Sequence, residues 1–297
     1  MILDTLMGQE RLLISCNDWR KAGTETGIWE YDFKTKKAKR LTLVFPTAEY
    51  KLRPHGIHLV NGHLFIVNHP QKKDSINRNK KRRDRIKQEI LRFRVMGDSL
   101  VMEVAIRHKL LKRPNDVFAT SSSEVYWSNF KLFGGNVCRF SDGKFEKVLR
   151  KGRLQNGVHI AHLKVVGSDS IKPYLITSTT IGKHVFRTEL FGKKKTKQIG
   201  KVKGGDNFSL NQDGTLLLTA HVKLLKLGAY GKYKTDKAPT NVFEIDLSKE
   251  KETAKNIYSN DGSLISGCTT AIRYKGFMYL SPLFDSFILR VPLKTQN

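Results

Sequence analysis

The chain has 297 residues, 39% of them hydrophobic and 9% aromatic, which is a folding composition long enough for one large domain or two small ones. Its 54 lysines and arginines against 27 aspartates and glutamates give a formal net charge of +27, which favours polyanionic partners without naming one. Three dispersed cysteines, Cys16, Cys138 and Cys268, exclude a disulfide framework and a cysteine-rich zinc site, and no apolar run reaches the roughly 18 residues of a membrane helix.

From the N-terminus, the first unit is a hairpin in "LDTLMGQERLLIS" (3–15): an apolar run, a polar turn and a second apolar run. The opening residues carry no basic leader and no small-residue cleavage site, so a cytoplasmic location is the default expectation. The same unit returns in "HGIHLVNGHLFIVNH" (55–69), turning at Asn61-Gly62, a strong hairpin signal. A basic run follows, "KKDSINRNKKRRDRIK" (Lys72–Lys87), with nine basic residues and two aspartates. It reads either as solvated surface or as a docking patch for an anionic membrane face or another polyanion. Helical periodicity is confined to the stretch near Arg82 to Leu91.

Four more hairpins follow: "NDVFATSSSEVYWSN" (115–129), "GVHIAHLKVVGSDSIKPYLITS" (157–178), "NFSLNQDGTLLLTAH" (207–221) and "TTAIRYKGFMYLSP" (269–282). The last two turn at Asp213-Gly214 and Lys275-Gly276. The second strands begin near Leu12, Leu64, Val125, Tyr174, Leu216 and Met278, at intervals of 42 to 62 residues, about the chain that one four-stranded blade requires. A two-sheet sandwich competes, but six repeats favour an all-β six-bladed β-propeller forming one domain over 1–297.

In a propeller the innermost strands share an axis, so the residues at their starts converge. These starts carry His55, Asn115-Asp116, Asn156 and Asp206-Asn207. Amide carbonyls and carboxylates are hard oxygen ligands that suit calcium rather than zinc or copper. Each dipeptide alone reads as a turn. Three at equivalent positions point to a shared ion. His159 and His162 of "HIAH" face opposite sides of a strand, which argues against a zinc pair. The chain contains no GxSxG elbow, no GxxxxGK[ST] loop and no GxGxxG after a strand, so neither a serine nucleophile nor a nucleotide fingerprint competes, and no specific nucleic-acid motif is present.

The ordered set "RPHGIHL" (53–59), "IVNHP" (66–70), "IRHKLLKRPNDVFA" (106–119), "LQNGVHI" (154–160), "GGDNFSL" (204–210), "TAHV" (219–222) and "GSLISGCTTAIRYKGFMYL" (262–280) resembles the paraoxonase family of calcium-dependent lactonases and arylesterases, within the wider group of gluconolactonase-like propellers. The resemblance implies two calcium ions. Asn115, Asn156, Asp206 and Asn207 would hold the catalytic one. Asp116, backbone oxygens near Ile57 and the Asp4 carboxylate would hold a structural one. His55 and His69 would be the family's paired histidines, with His55 the base that deprotonates water, and His221 would line the pocket. A small-molecule ester or lactone is the implied substrate, with calcium polarising its carbonyl.

The chain also departs from the family. Leu3 stands where the family's additional calcium-binding Glu falls if Asp4 is its partner, and the family's ring-closing strand and disulfide have no counterpart. A true start further upstream is the expectation, which makes the cytoplasmic default unsafe. Phe130 and Lys131 replace an Asp-His pair of the third blade, and about 71–89 is an insertion. Two competing readings follow: a sugar lactonase of gluconolactonase type, and a non-catalytic propeller that binds a polyanion through Lys72–Lys87.

Overall fold

All six expected hairpins form. In the computed structural model, which describes residues 1–17, 26–47, 50, 52–70, 88–149, 152, 154–165, 168–192, 194–235, 237–249 and 253–293, they are the inner strand pairs of six sheets, the blades of a six-bladed β-propeller. The first blade is β1 (Ile2–Asp4), β2 (Arg11–Cys16), β3 (Gly27–Asp32) and β4 (Ala38–Arg40), in that order. A short strand β5 (Thr42–Val44) then adds in parallel to the outer edge of the second blade, made of β6 (Pro54–Val60), β7 (His63–Asn68), β8 (Glu89–Met96) and β9 (Ser99–Ile106). The third blade is β10 (Pro114–Ala119), β11 (Glu124–Asn129), β12 (Asn136–Ser141) and β13 (Lys144–Leu149). The fourth is β14 (Gln155–Lys164), β15 (Ile171–Thr179), β16 (Val185–Glu189) and β17 (Thr196–Gly200). The fifth is β18 (Gly205–Leu210), β19 (Leu216–Ala220), β20 (Thr240–Ile245) and β21 (Ala254–Asn260). The sixth has three described strands, β22 (Cys268–Tyr274), β23 (Phe277–Pro282) and β24 (Leu289–Pro292).

Burial explains the sequence pattern. The second strand of a blade is covered on both faces, so "LFIVN", "VYWSN" and "LLLTA" are continuously buried rather than alternating. Outer strands such as β4 and β21 are largely exposed and polar. In β19 alternate residues serve different cores: Leu216 and Leu218 pack with Ile176, Val185 and Ile199 of the fourth blade, while Leu217 packs with Ala271, Met278 and Leu280 of the sixth. Asn61-Gly62 and Lys275-Gly276 both adopt positive φ at two consecutive positions (48° and 74°, 45° and 77°), the geometry of a two-residue hairpin turn.

The chain divides into two compact units, 1–125 with 139–146 and 126–138 with 147–297, the boundary passing through the third blade. The core of the first unit joins Leu13 and Ile28 of the first blade to Leu64, Ile66, Leu91 and Phe93 of the second. Beside it lies a buried ion-pair group in which Arg11 donates to Asp4 (2.9 Å), Glu30 (2.5 Å) and the Gly97 carbonyl (2.9 Å).

Two local expectations need correction. The helical reading near Arg82 to Leu91 falls partly outside the described residues, and over its last three residues it is overturned, because Glu89 begins β8, with Glu89, Ile90 and Leu91 buried. The α-helix among the described residues lies elsewhere, at Leu224–Tyr233 (α1), where two glycines mask the helical signal. As expected from strand alternation, His159 of β14 is buried and His162 is exposed.

Candidate active site

In the first unit the motif residues meet where β6 and β10 begin and β7 ends. The starts of β6 and β10 approach so closely that a Cβ on Gly56 would lie 2.5 Å from the Asn115 carbonyl oxygen and 2.8 Å from the Asp116 Cα. Only glycine fits there, and this is the physical content of "HGI". His55 and His69 face each other, with ring centroids 5.4 Å apart. Their backbone is clamped: the His69 amide donates to the Arg53 carbonyl (3.0 Å), and the Ser15 hydroxyl donates to the His55 carbonyl (2.7 Å). The wholly buried Asn68 accepts from the Arg53 amide (2.7 Å) and donates to Glu89 (2.8 Å), which in turn accepts from Arg107 (2.7 Å).

His69 Nδ1 is bonded to Gln88 Oε1, which places the proton on Nδ1 and leaves Nε2 as the basic nitrogen. Burial holds the His69 pKa below the ordinary histidine range. The Gln88 bond opposes that shift, and the Arg53 and Arg113 charges add to it. Asp116 is buried and accepts from the Val117 amide (2.9 Å). Asp4 is also buried, but its two oxygens are engaged, one by Arg11 and the other by the Leu6 amide (3.1 Å).

In the second unit the starts of β14 and β18 repeat the close approach. A Cβ on Gly157 would lie 2.3 Å from the Asp206 carbonyl oxygen. Ser178 ties the two strands, accepting from the Gly157 amide (2.9 Å) and donating to the Asp206 carbonyl (2.7 Å). Asn156 donates through Nδ2 to the Thr180 hydroxyl (3.0 Å), which donates onward to the Gly205 carbonyl (3.3 Å). Asn207 donates through Nδ2 to the Thr269 carbonyl (3.1 Å). A carbonyl only accepts, and the Thr180 proton is already committed, so both amides must turn their NH2 groups to these partners. Their Oδ1 atoms are turned from these partners, and both are buried with no hydrogen-bond donor among the described residues.

A buried unsatisfied carbonyl costs about 1–3 kcal/mol, a cost that a cation would relieve, and a carboxylate on the same strand as Asn207 adds a third candidate oxygen ligand. Asp206 supplies that carboxylate, and its Oδ2 lies 2.7 Å from His221 Nε2. Both residues are buried, and His221 Nδ1 is likewise without a partner. Two amide oxygens and a carboxylate fit calcium, a hard oxygen-seeking ion. No group of three or more His, Cys, Asp or Glu among the described residues is placed to hold a metal.

The sequence-derived residues thus fall into two groups: His55, Ile57, His69, Asn115 and Asp116 in the first unit, and Asn156, Asp206, Asn207 and His221 in the second. Asp4 sits apart in the Arg11 ion-pair group, and the basic run 72–87 falls outside the described residues. Motif reading missed the supporting groups, Asn68, Gln88, Glu89, Ser178, Thr180 and Thr269. Single polar residues of that kind carry no sequence signal of their own.

Comparison with known proteins agrees with the motifs. A family model described as Arylesterase matches residues 21–288. Serum paraoxonase/lactonase 3 of Oryctolagus cuniculus is 26% identical over 84% of this chain and 72% of its own length. Serum paraoxonase/arylesterase 2 of Homo sapiens is 23% identical over 87% of this chain and 74% of its own. Among solved structures, a gluconolactonase from Xanthomonas campestris superposes with a TM-score of 0.59 at 14% identity, covering 96% of this chain and 83% of that one. The periplasmic gluconolactonase of Pseudomonas aeruginosa gives 0.55 at 10% identity, covering 96% and 92%. These two share the propeller fold. With the family model spanning most of its length, the chain belongs to the Arylesterase family.

Proposed function

We propose that the protein is a calcium-dependent hydrolase of carboxylic esters, a lactonase or arylesterase of paraoxonase type. The observation that carries this reading is the pair of buried, donor-less oxygens on Asn156 and Asn207 beside the Asp206 carboxylate. These residues would hold the catalytic ion, and the family resemblance adds Asn115. Asp116 and the backbone near Ile57 would serve a structural ion. Asp4, already paired with Arg11, would have to exchange that partner to join them. A bound calcium supplies Lewis-acid polarisation of the ester carbonyl and stabilises negative charge on its oxygen.

The chain's own groups do the rest. His55 takes a proton from water, and His69, locked by Gln88 with its proton on Nδ1, orients that pair. The water oxygen bonds to the acyl carbon and the acyl C–O bond breaks. The proton passes to the leaving oxygen, giving an acid and an alcohol, or a hydroxy acid from a lactone. His221 would hold Asp206 through its contact with Oδ2.

The test is thermal unfolding and hydrolysis of phenyl acetate and a simple lactone, each with calcium and with chelator, for the native chain and Asn156→Ala. Calcium should raise the melting temperature and support turnover, and the variant should lose both together. A fully active Asn156→Ala protein would sink the proposal.

A further inference from the structure

Resting on the hydrolase reading, we infer that this site takes esters or lactones that carry a separate anionic group, such as a carboxylate, on an apolar body. The second unit has two chemically different ends. The loops at the end where β14, β18 and β22 begin border Asn156, Asp206 and His221, and backbone hydrogen bonds lace them to those residues. The Lys131 carbonyl accepts from the Leu154 amide (2.8 Å), the Leu154 carbonyl from the Thr180 amide (3.1 Å), and the Gly204 carbonyl from the His221 amide (2.7 Å). The Lys183 carbonyl accepts from the Val202 amide (3.1 Å), so the loop at 183 lies against the one that precedes β18.

These same loops are densely cationic. Lys131, Lys183, Lys203, Lys223, Lys226 and Lys232 all lie in them, and the acids among their described residues are Asp261 and Asp285. Two acids offset only part of that charge: Asp261 lies close enough to Lys237 for a coulombic interaction and caps the Ser263 amide (2.9 Å), and Asp285 accepts from the Tyr230 hydroxyl (2.6 Å). Large apolar side chains are interspersed and exposed, among them Leu132, Phe133, Ile181, Leu225, Leu264 and Phe287. At the opposite end, Lys194, Lys195, Lys249 and Lys275 are offset by Asp169, Asp213 and Asp246, so the imbalance is not a uniform product of the basic composition.

A field of one sign beside a site concentrates ligands of the other sign and raises their association rate by roughly 10 to 10³-fold at low ionic strength. The apolar side chains give the rest of such a ligand a surface to lie on. Lys131, which with Phe130 stands where the resembled family carries an Asp-His pair, has its backbone two hydrogen bonds from Thr180, the residue that orients Asn156.

The experiment compares 4-acetoxybenzoate with 4-acetoxybenzamide, two acetate esters that differ in charge away from the bond cut, in the full chain with calcium at low and high salt. The carboxylate ester should show a kcat/KM about 10-fold higher at low salt, with the advantage shrinking as salt screens it. The ratio should fall further in the double variant Lys131→Glu, Lys203→Glu. Equal kcat/KM for the two esters, a preference for the amide, or a preference indifferent to salt and to the double variant would overturn the inference while leaving the hydrolase reading intact. Failure to hydrolyse either ester would instead remove the hydrolase reading, and this inference with it.

Discussion

The two units use one backbone device to different ends. In each, a glycine follows a site residue at the start of an inner strand, His55-Gly56 in one and Asn156-Gly157 in the other. Its missing Cβ lets the next inner strand close on it, bringing Asn115-Asp116 or Asp206-Asn207 alongside. Around its histidine pair the first unit supplies internal partners: Asn68, Glu89, Arg53 and Arg107 bond one another, and His69 has Gln88. The second unit leaves the Asn156 and Asn207 oxygens bare. Equal geometry therefore does not imply equal chemistry. Around the histidine pair the polar groups meet one another, whereas two asparagine oxygens of the second unit meet no donor among the described residues.

Substituting leucine for each buried asparagine tests that contrast most strongly. Asn68→Leu orphans the Arg53 amide and strips a donor from buried Glu89, so it should cost about 2–4 kcal/mol in denaturant unfolding. Asn156→Leu in chelator removes an oxygen without a partner together with one donor to the Thr180 hydroxyl, which keeps its own bond to Gly205, so it should cost less than Asn68→Leu, about 1 kcal/mol. A large loss in the second variant would mean the Asn156 oxygen is satisfied without an ion.

The shared device itself is the next target. Gly56→Ala and Gly157→Ala should each cost about 1–3 kcal/mol, because backbone rather than a yielding side chain occupies the Cβ position. The melting shift should be the larger for Gly157→Ala, where the carbonyl oxygen is nearer.

Histidines separate the units by pH. His159 of β14 is sealed in the second unit, and burial lowers its pKa to about 3. Its folded value lies below its unfolded value, so its contribution is complete above about pH 6.5 and is lost as pH falls from there toward 3. At pH 5.5 the loss should be about 1 kcal/mol, and His159→Gln should flatten that limb of the stability curve. The effect at His69 is smaller. Its lowered pKa keeps the ring neutral below the usual range, so an NMR titration of the His69 ring should place its midpoint below the ordinary histidine value.

The alternation of apolar runs and turn dipeptides was sufficient to place all six hairpins, because a strand buried on both faces must be apolar throughout and a two-residue turn demands positive φ. The same reasoning failed at Leu224–Tyr233, where a glycine-rich helix has no clear period, and at Glu89, where a charged neighbourhood hides a strand start. The identity of the site residues was legible from ordered motifs. Which of their atoms remain available was not. That depends on Thr180 and Thr269 meeting the asparagine amides from other strands, on Arg11 engaging Asp4, and on loops far apart in sequence gathering lysines at one end of the second unit. Sequence fixes which groups a strand presents and how often. Hydrogen-bond partners and local charge are relations between strands, and only the tertiary structure decides them.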